Sequence, residues 1–93
     1  MTVELQDVKA QLHVLHDADD ALLERLIESA IREYARFINE EDDSSEFFVG
    51  EDAFNGIVMV IKADYWNFEP TKRAEMRRAA ETLWMPYRTG LGV

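Results

Sequence analysis

The chain has no cysteine, and its 93 residues include only two prolines and four glycines. The absence of cysteine excludes disulfide bonds, thiolate metal sites and cysteine nucleophiles. The glycines are scattered, so the sequence has no glycine-rich loop of the kind that binds phosphate groups. No run of about 18 apolar residues occurs, and the sequence therefore predicts no membrane-spanning helix and no membrane partner.

Basic residues are also scarce, because 10 lysines and arginines stand against 19 aspartates and glutamates, for a formal net charge of −9. Residues 1–55 hold 15 acidic and 4 basic residues, whereas residues 56–93 hold 4 acidic and 6 basic ones. An acidic surface repels nucleic acid and anionic lipid. The uneven charge has two interpretations: head-to-tail association of copies through faces of opposite charge, or a solvated surface that keeps a monomer in solution.

What the chain does contain is apolar residues at helical spacing, in a length that suits one domain over residues 1–93. A narrow apolar stripe predicts a short first helix over Val3–Leu12, with Thr2 as its cap. A wider stripe predicts a long amphipathic second helix over Asp17–Asn39, with Asp17 as its cap. The apolar positions of the second helix are Leu23, Leu26, Ile27, Ala30, Ile31, Tyr34 and Ile38.

Residues 40–52 predict an acidic loop between the second and third helices, since they are rich in acidic residues and serine and include Gly50. Phe47, Phe48 and Val49 are unusual in such a loop. Large apolar residues in a loop either fold back onto the core or contact a partner. The sequence leaves both interpretations open.

The segment after this loop has an ambiguous local pattern. Ile57–Ile61 is mostly β-branched and follows the turn signal Asn55-Gly56, which is typical of a strand. The apolar positions over Ala53–Phe68 also have helical spacing, and the length of the segment favours a third helix that continues to Asn67. A helix that is apolar almost all round needs cover on nearly every side, which predicts contacts from a second subunit.

A last helix is predicted to begin at Pro70-Thr71 and to end before Pro86. It carries a basic surface of Lys72, Arg73, Arg77 and Arg78, with Glu81 in reach of Arg77 and Arg78. Residues 89–93 are predicted to form a mobile tail. The sequence therefore predicts an all-α fold: a small bundle of about four helices (short, long, long and medium) with an acidic loop between the second and third.

No arrangement of side chains predicts catalysis or a cofactor. His13 and His16 with the nearby aspartates are the only cluster that resembles a metal site. Because Asp17, Asp19 and Asp20 already fit the start of a helix, we predict no metal site. The serines have no nucleophile elbow around them. We therefore predict that the chain is not an enzyme.

Large aromatic residues are concentrated in the last third of the chain, at Tyr65, Trp66, Phe68, Trp84 and Tyr87. They are either core residues or anchors of a protein–protein interface, where tryptophan, tyrosine and arginine are enriched. So many large rings are hard to bury inside one small subunit, which favours an interface for some of them.

Three segments resemble the head-to-tail connector (adaptor) family of tailed phages. Val3–Leu12 is similar to that family's opening helix, and His16–Leu23 is similar to its acidic start of a long helix. Leu83-Trp84-Met85-Pro86-Tyr87-Arg88 resembles the family's closing motif. The three matches occur in the family's order and cover roughly half of the chain.

The resemblance implies a helical subunit that forms a dodecameric ring under the portal protein of a phage or prophage capsid. Such a ring extends the DNA channel, binds head-completion or tail proteins, and lets DNA pass without specific binding. It implies a location in the virion at the head–tail junction, in the host cytoplasm during assembly, and no catalysis.

We predict partner or subunit contacts at nine residues, and we expect charge reversal at Arg77 and Arg78 to prevent assembly without unfolding the monomer. The alternative hypothesis is a small acidic binding protein, a DNA mimic or inhibitor that acts on a basic partner. The nine predicted contact residues are Phe47, Phe48, Tyr65, Trp66, Arg77, Arg78, Trp84, Tyr87 and Arg88.

Overall fold

Four α-helices form the fold in a computed structural model that describes residues 2–39 and 49–88. They are α1 (Leu5–Leu12), α2 (Asp20–Ile38), α3 (Glu51–Tyr65) and α4 (Pro70–Trp84), and a single 3-10 turn, Met85–Tyr87, follows α4. The described residues include no strand, which confirms the all-α prediction and places the ambiguous segment 57–61 in a helix. Phe47, Phe48 and the predicted tail 89–93 lie outside the described residues.

The first two helices begin later than the sequence predicts. Glu4 has an extended backbone (φ −112°, ψ 149°), so α1 begins at Leu5, and Thr2 is not its cap. Val3 lies in this extended segment and is buried in the core. The backbone before Asp20 forms turns, so Asp19 precedes α2 and the predicted cap Asp17 lies outside the helix. Apolar spacing predicts which face is buried, but not the residue at which a helix begins.

The third helix begins earlier than predicted, because Glu51 and Asp52 belong to its first turn and not to the acidic loop. Carboxylates are favourable there, since the exposed N–H groups of a first turn carry partial positive charge. Its predicted end is close to the observed one at Tyr65. The fourth helix begins at Pro70 and ends at Trp84, as predicted from the two prolines.

A residue with a left-handed backbone follows each of the first three helices, directly after α1 and α2 and two residues after the end of α3. His13, Asn39 and Asn67 have φ of 58°, 65° and 51°. After the first of them, the Val14 N–H donates to the Lys9 carbonyl at 3.0 Å, and after the last, the Phe68 N–H donates to the Ala63 carbonyl at 3.1 Å. Such bonds satisfy carbonyl groups that a helix end leaves without a partner, and they turn the chain sharply.

The central element of the core is α3, which packs on α4 most extensively and also contacts α1 and α2. It buries eight of its residues, and its exposed residues, Glu51, Asp52 and Asn55, all lie in its first five positions. The other three helices therefore cover most of its apolar surface, and the predicted contacts of α3 with a second subunit stay a prediction. The eight buried residues are Ala53, Phe54, Gly56, Ile57, Val58, Val60, Ile61 and Ala63.

Within the described part of the chain, no helix combines the length and the apolar character that crossing a membrane requires.

Candidate functional site

A buried lysine joins the first helix to the start of the second. The Lys9 ammonium, whose side chain is 6% exposed, donates hydrogen bonds to Asp17 at 2.7 Å and Asp20 at 2.8 Å. These bonds to carboxylates raise the pKa of Lys9 above its ordinary value, and the bond from Lys9 lowers the pKa of Asp17. The first and second motifs of the chain therefore bind one another inside the subunit.

Tyr65 extends this cluster to the third helix. Its hydroxyl donates to the Asp19 carboxylate at 2.6 Å, and this bond raises the pKa of Tyr65. Asp17, Asp19 and Asp20 thus accept hydrogen bonds from side chains on α1 and α3. Asp19 directly precedes α2, but its side chain forms no capping hydrogen bond with the first turn of that helix. Tyr65 is half-buried, so part of its ring remains available to a partner.

The histidines near this cluster have structural roles. His13 is the left-handed residue that ends α1, and the imidazole of His16 accepts a hydrogen bond from the Ala18 N–H at 3.2 Å. Among the residues that the structure describes, no three histidine, aspartate or glutamate side chains are grouped so that they could hold a metal ion.

Arg77 connects three helices within the subunit. Its guanidinium forms two hydrogen bonds with Asp64, at 3.0 and 3.2 Å, and its Nε donates to Glu33 at 3.2 Å. The bonds to Asp64, ahead of the charge of Glu33, raise the pKa of Arg77. The predicted pairing of Arg77 with Glu81 is replaced by partners on α2 and α3, whereas the next residue, Arg78, is exposed.

The closing motif packs against the second and third helices. Trp84 is fully buried, and its indole N–H donates to the Ala53 carbonyl at 3.0 Å. Its ring lies edge-on to Tyr34 at 5.4 Å between centroids and 5.9 Å from Phe37. Because no part of Trp84 reaches the surface, its predicted role as a contact residue is corrected to a core role.

The last two residues of this motif lie nearer the surface. The Tyr87 hydroxyl packs on Gly50, whose missing side chain leaves room for it, and the ring lies 6.5 Å from Tyr34. The Arg88 guanidinium lies over the Phe37 ring at 5.3 Å and is exposed. Both residues therefore remain candidates for contacts with a partner.

The turn between α3 and α4 carries an exposed and a half-buried aromatic ring beside basic groups. Trp66 is 45% exposed and lies 6.1 Å from the Phe68 ring. The Lys62 ammonium lies 5.2 Å from the Trp66 ring, and the Lys72 ammonium lies 4.2 Å from the Phe68 ring. We call Lys62, Trp66, Phe68 and Lys72 the aromatic–basic patch.

An open groove lies between the first helix and the N-terminal half of α3, with a volume of about 310 Å³. Asp7 and Glu51 are exposed carboxylates on its walls, and Phe54 is its one aromatic residue. We call it the acidic groove, and its lining residues are Asp7, Ala10, Gln11, Glu51, Phe54 and Asn55.

The predicted contact residues do not form one site. Trp66 belongs to the aromatic–basic patch with Tyr65 next to it in the chain, Tyr87 and Arg88 lie near the second helix, and Arg77 holds the subunit together. Sequence reasoning missed the buried Lys9, although its place between the apolar Val8 and Leu12 was a signal. It also missed Lys62 as a partner of Trp66, which the spacing of four residues indicates.

A family model described as phage gp6-like head-tail connector protein matches residues 2–85. No curated protein and no solved structure matches the chain.

Proposed function

The chain belongs to the phage gp6-like head-tail connector family, and from that membership we propose that copies of it form a closed ring docked under a phage portal. The observation that carries this proposal is the extent of the family match, which covers residues 2–85 and therefore all four helices. The family is a structural one, and its members connect head and tail. The three motifs that resembled such connectors all lie in or next to the matched region.

In this proposal the ring is dodecameric, extends the DNA channel of the portal and offers a docking surface to head-completion or tail proteins. The subunit assembles in the host cytoplasm and remains at the head–tail junction of the virion. The formal net charge of −9 supports a channel wall that repels DNA, so that DNA passes without specific binding. The proposed role needs no catalysis and no cofactor.

Contacts with other subunits and with the portal are proposed at exposed or half-exposed residues of the predicted set. These are Tyr65 and Trp66 at one end of α3, Arg78 on α4, and Tyr87 and Arg88 after it. Exposed tryptophan, tyrosine and arginine side chains are the types that most often anchor protein interfaces. Phe47 and Phe48, outside the described residues, stay in the proposed set on the ground of their sequence alone.

Deleting the coding sequence from the phage or prophage genome that carries it tests the proposal. We expect cells to accumulate heads that have no tails, because the surface that joins the two structures is absent. Expression of the wild-type chain from a plasmid restores tailed, infectious particles, and a frameshifted copy of the same plasmid is the control. Particles are counted by electron microscopy and plaque assay. Tailed particles in undiminished number from the deletion strain would contradict the proposal.

A further inference from the structure

One side of α3, continued by the residue directly after it, changes its chemistry from one end to the other. Glu51, Asn55, Lys62 and Trp66 are spaced by four, seven and four residues, so they lie on one side of the helix. The first two line the acidic groove, and the last two belong to the aromatic–basic patch. Eleven residues separate Glu51 from Lys62, which places them about 16 Å apart along the helix. The two surfaces therefore do not overlap.

The aromatic–basic patch combines an exposed tryptophan, a common interface anchor, with positive charge. A tryptophan that is 45% exposed leaves apolar surface in water, and tryptophan is enriched where proteins bind each other. Within residues 2–39 and 49–88, the ammonium groups of Lys62 and Lys72 contact aromatic rings and form no ion pair. Both positive charges are thus available to an acidic partner.

The acidic groove offers the complementary surface. Asp7 and Glu51 place negative charge on its walls, and Phe54, which is 6% exposed, adds a small apolar area. A volume of about 310 Å³ accommodates a large aromatic side chain. Trp66 with Lys62 beside it matches the groove in size and in charge.

We infer that Trp66 and Lys62 of one copy bind in the acidic groove of the next copy, between its α1 and α3. The aromatic–basic patch and the acidic groove lie at opposite ends of α3, so they cannot bind each other within one chain. They can bind each other between successive copies. Such a heterologous contact generates a ring when the rotation between copies closes. The inference rests on the proposed ring and names the surfaces that hold it together.

Charge-swapped variants of the purified chain test this contact, with the mass measured by light scattering after size exclusion over a wide concentration range. Lys62→Glu changes the patch, and Gln11→Lys puts a positive charge into the groove at an exposed residue. Arg25→Glu and Gln6→Lys are matched controls, since both residues are exposed and neither lines the groove nor belongs to the patch. Circular dichroism and melting curves show that each variant is folded.

We expect the wild-type chain and both controls to form the same closed assembly as concentration rises. Lys62→Glu weakens association by roughly tenfold or more, as reversal of an interfacial charge does, and Gln11→Lys weakens it by less, because the added lysine offsets only one of the two groove carboxylates. The double variant with both changes associates more strongly than Lys62→Glu alone, because the lysine added to the groove can pair with the glutamate added to the patch. Trp66→Ala weakens association by roughly 30-fold, the effect of losing an interface anchor.

Three results would overturn the inference. They are a wild-type chain that stays monomeric at every concentration, an assembly that stops at a two-fold dimer, and single variants that associate as their controls do. Plasmid expression of Lys62→Glu in the deletion strain separates the two proposals. If it restores tails as well as the wild-type chain does, the connector role stands and the assigned contact fails.

Discussion

At the scale of single residues, position on a helix decides whether a charge serves the subunit or its partners. Arg77 and Arg78 are adjacent and were predicted to have the same role. The first is 32% exposed and bonds to carboxylates on two other helices, whereas the second is exposed. Charge reversal at both positions was expected to leave the monomer folded, and the structure changes this expectation for Arg77. A negative side chain at position 77 would be repelled by the two carboxylates that Arg77 now binds inside the bundle.

The pair of arginines allows a matched test of this difference. Arg77→Gln removes charged hydrogen bonds to Asp64 and Glu33, and we expect it to lower the free energy of unfolding by about 1–2 kcal/mol, since partial exposure reduces their strength. Arg78→Gln changes only the surface and stays within about 0.5 kcal/mol of the wild type. Urea denaturation followed by circular dichroism measures both. Equal losses in the two variants would show that the contacts of Arg77 contribute nothing to stability.

The partners of these residues were beyond prediction from local pattern. Glu81, one turn away, was the expected partner of Arg77, but the observed partners lie 44 and 13 residues away in the chain. The same holds for Lys9 and Tyr65, whose partners Asp20 and Asp19 lie 11 and 46 residues distant. Helical spacing identifies neighbours on one helix, but it does not show which faces of different helices pack together.

At the scale of elements, the three motifs that suggested the family form contacts between the helices of the bundle. The first two meet through Lys9, and the closing motif inserts Trp84 between α2 and α3. Sequence alone therefore predicted the helices and their order well, because apolar spacing and the two prolines act locally. It failed at the start of α1, where Val3 is buried in an extended segment instead of a first turn.

The close packing of α3 on α4 depends on a glycine within α3. A Cβ on Gly56 would overlap the indole nitrogen of Trp84 and lie 3.1 Å from the Ala80 carbonyl oxygen. Alanine normally favours a helix over glycine by about 1 kcal/mol. Here we expect Gly56→Ala to lower the free energy of unfolding by about 1–2 kcal/mol net, since overpacking of a buried ring outweighs that gain.

The neighbouring residue supplies the control for this substitution. Asn55 is exposed on the same helix, so Asn55→Ala adds only helix propensity, and we expect up to about 0.7 kcal/mol of added stability. Chemical denaturation of both variants, with near-ultraviolet circular dichroism as a probe of the Trp84 environment, measures the difference. A Gly56→Ala variant as stable as Asn55→Ala would refute the close packing of α3 on α4.

At the scale of the whole molecule, the acidic charge is used in part to hold the chain together. Asp17 and Asp20 bind the ammonium of Lys9, and Asp19 accepts the hydroxyl of Tyr65, so one cluster ties α1, the start of α2 and the end of α3. Composition predicted the net charge and its uneven distribution. It could not show which carboxylates face water and which face a buried amine, because that depends on how the helices pack.

The cluster gives the stability of the subunit a pH dependence with a definite sign. The bond from Lys9 lowers the pKa of Asp17 from its ordinary value of 3.8, so this contribution is complete above that pH and is lost as pH falls through the lowered pKa. The pKa values of Lys9 and Tyr65 are raised from 10.5 and 10.0, so their contributions are present below those values and are lost as pH rises beyond them. The cluster therefore contributes fully at neutral pH.

Replacement of one carboxylate separates this linkage from the general effect of acid. At pH 7 we expect Asp17→Asn to be less stable than the wild type, by a modest amount because the Asp17 side chain is 87% exposed. The difference shrinks as pH falls below 3.8, since protonation of Asp17 in the wild type removes the same charge. Glu75→Gln removes an exposed carboxylate of α4 and serves as the control for net charge. Urea denaturation from pH 7 to pH 2 measures the difference, and a constant gap between Asp17→Asn and the wild type over that range would show that Lys9 and Asp17 are not linked in the folded chain.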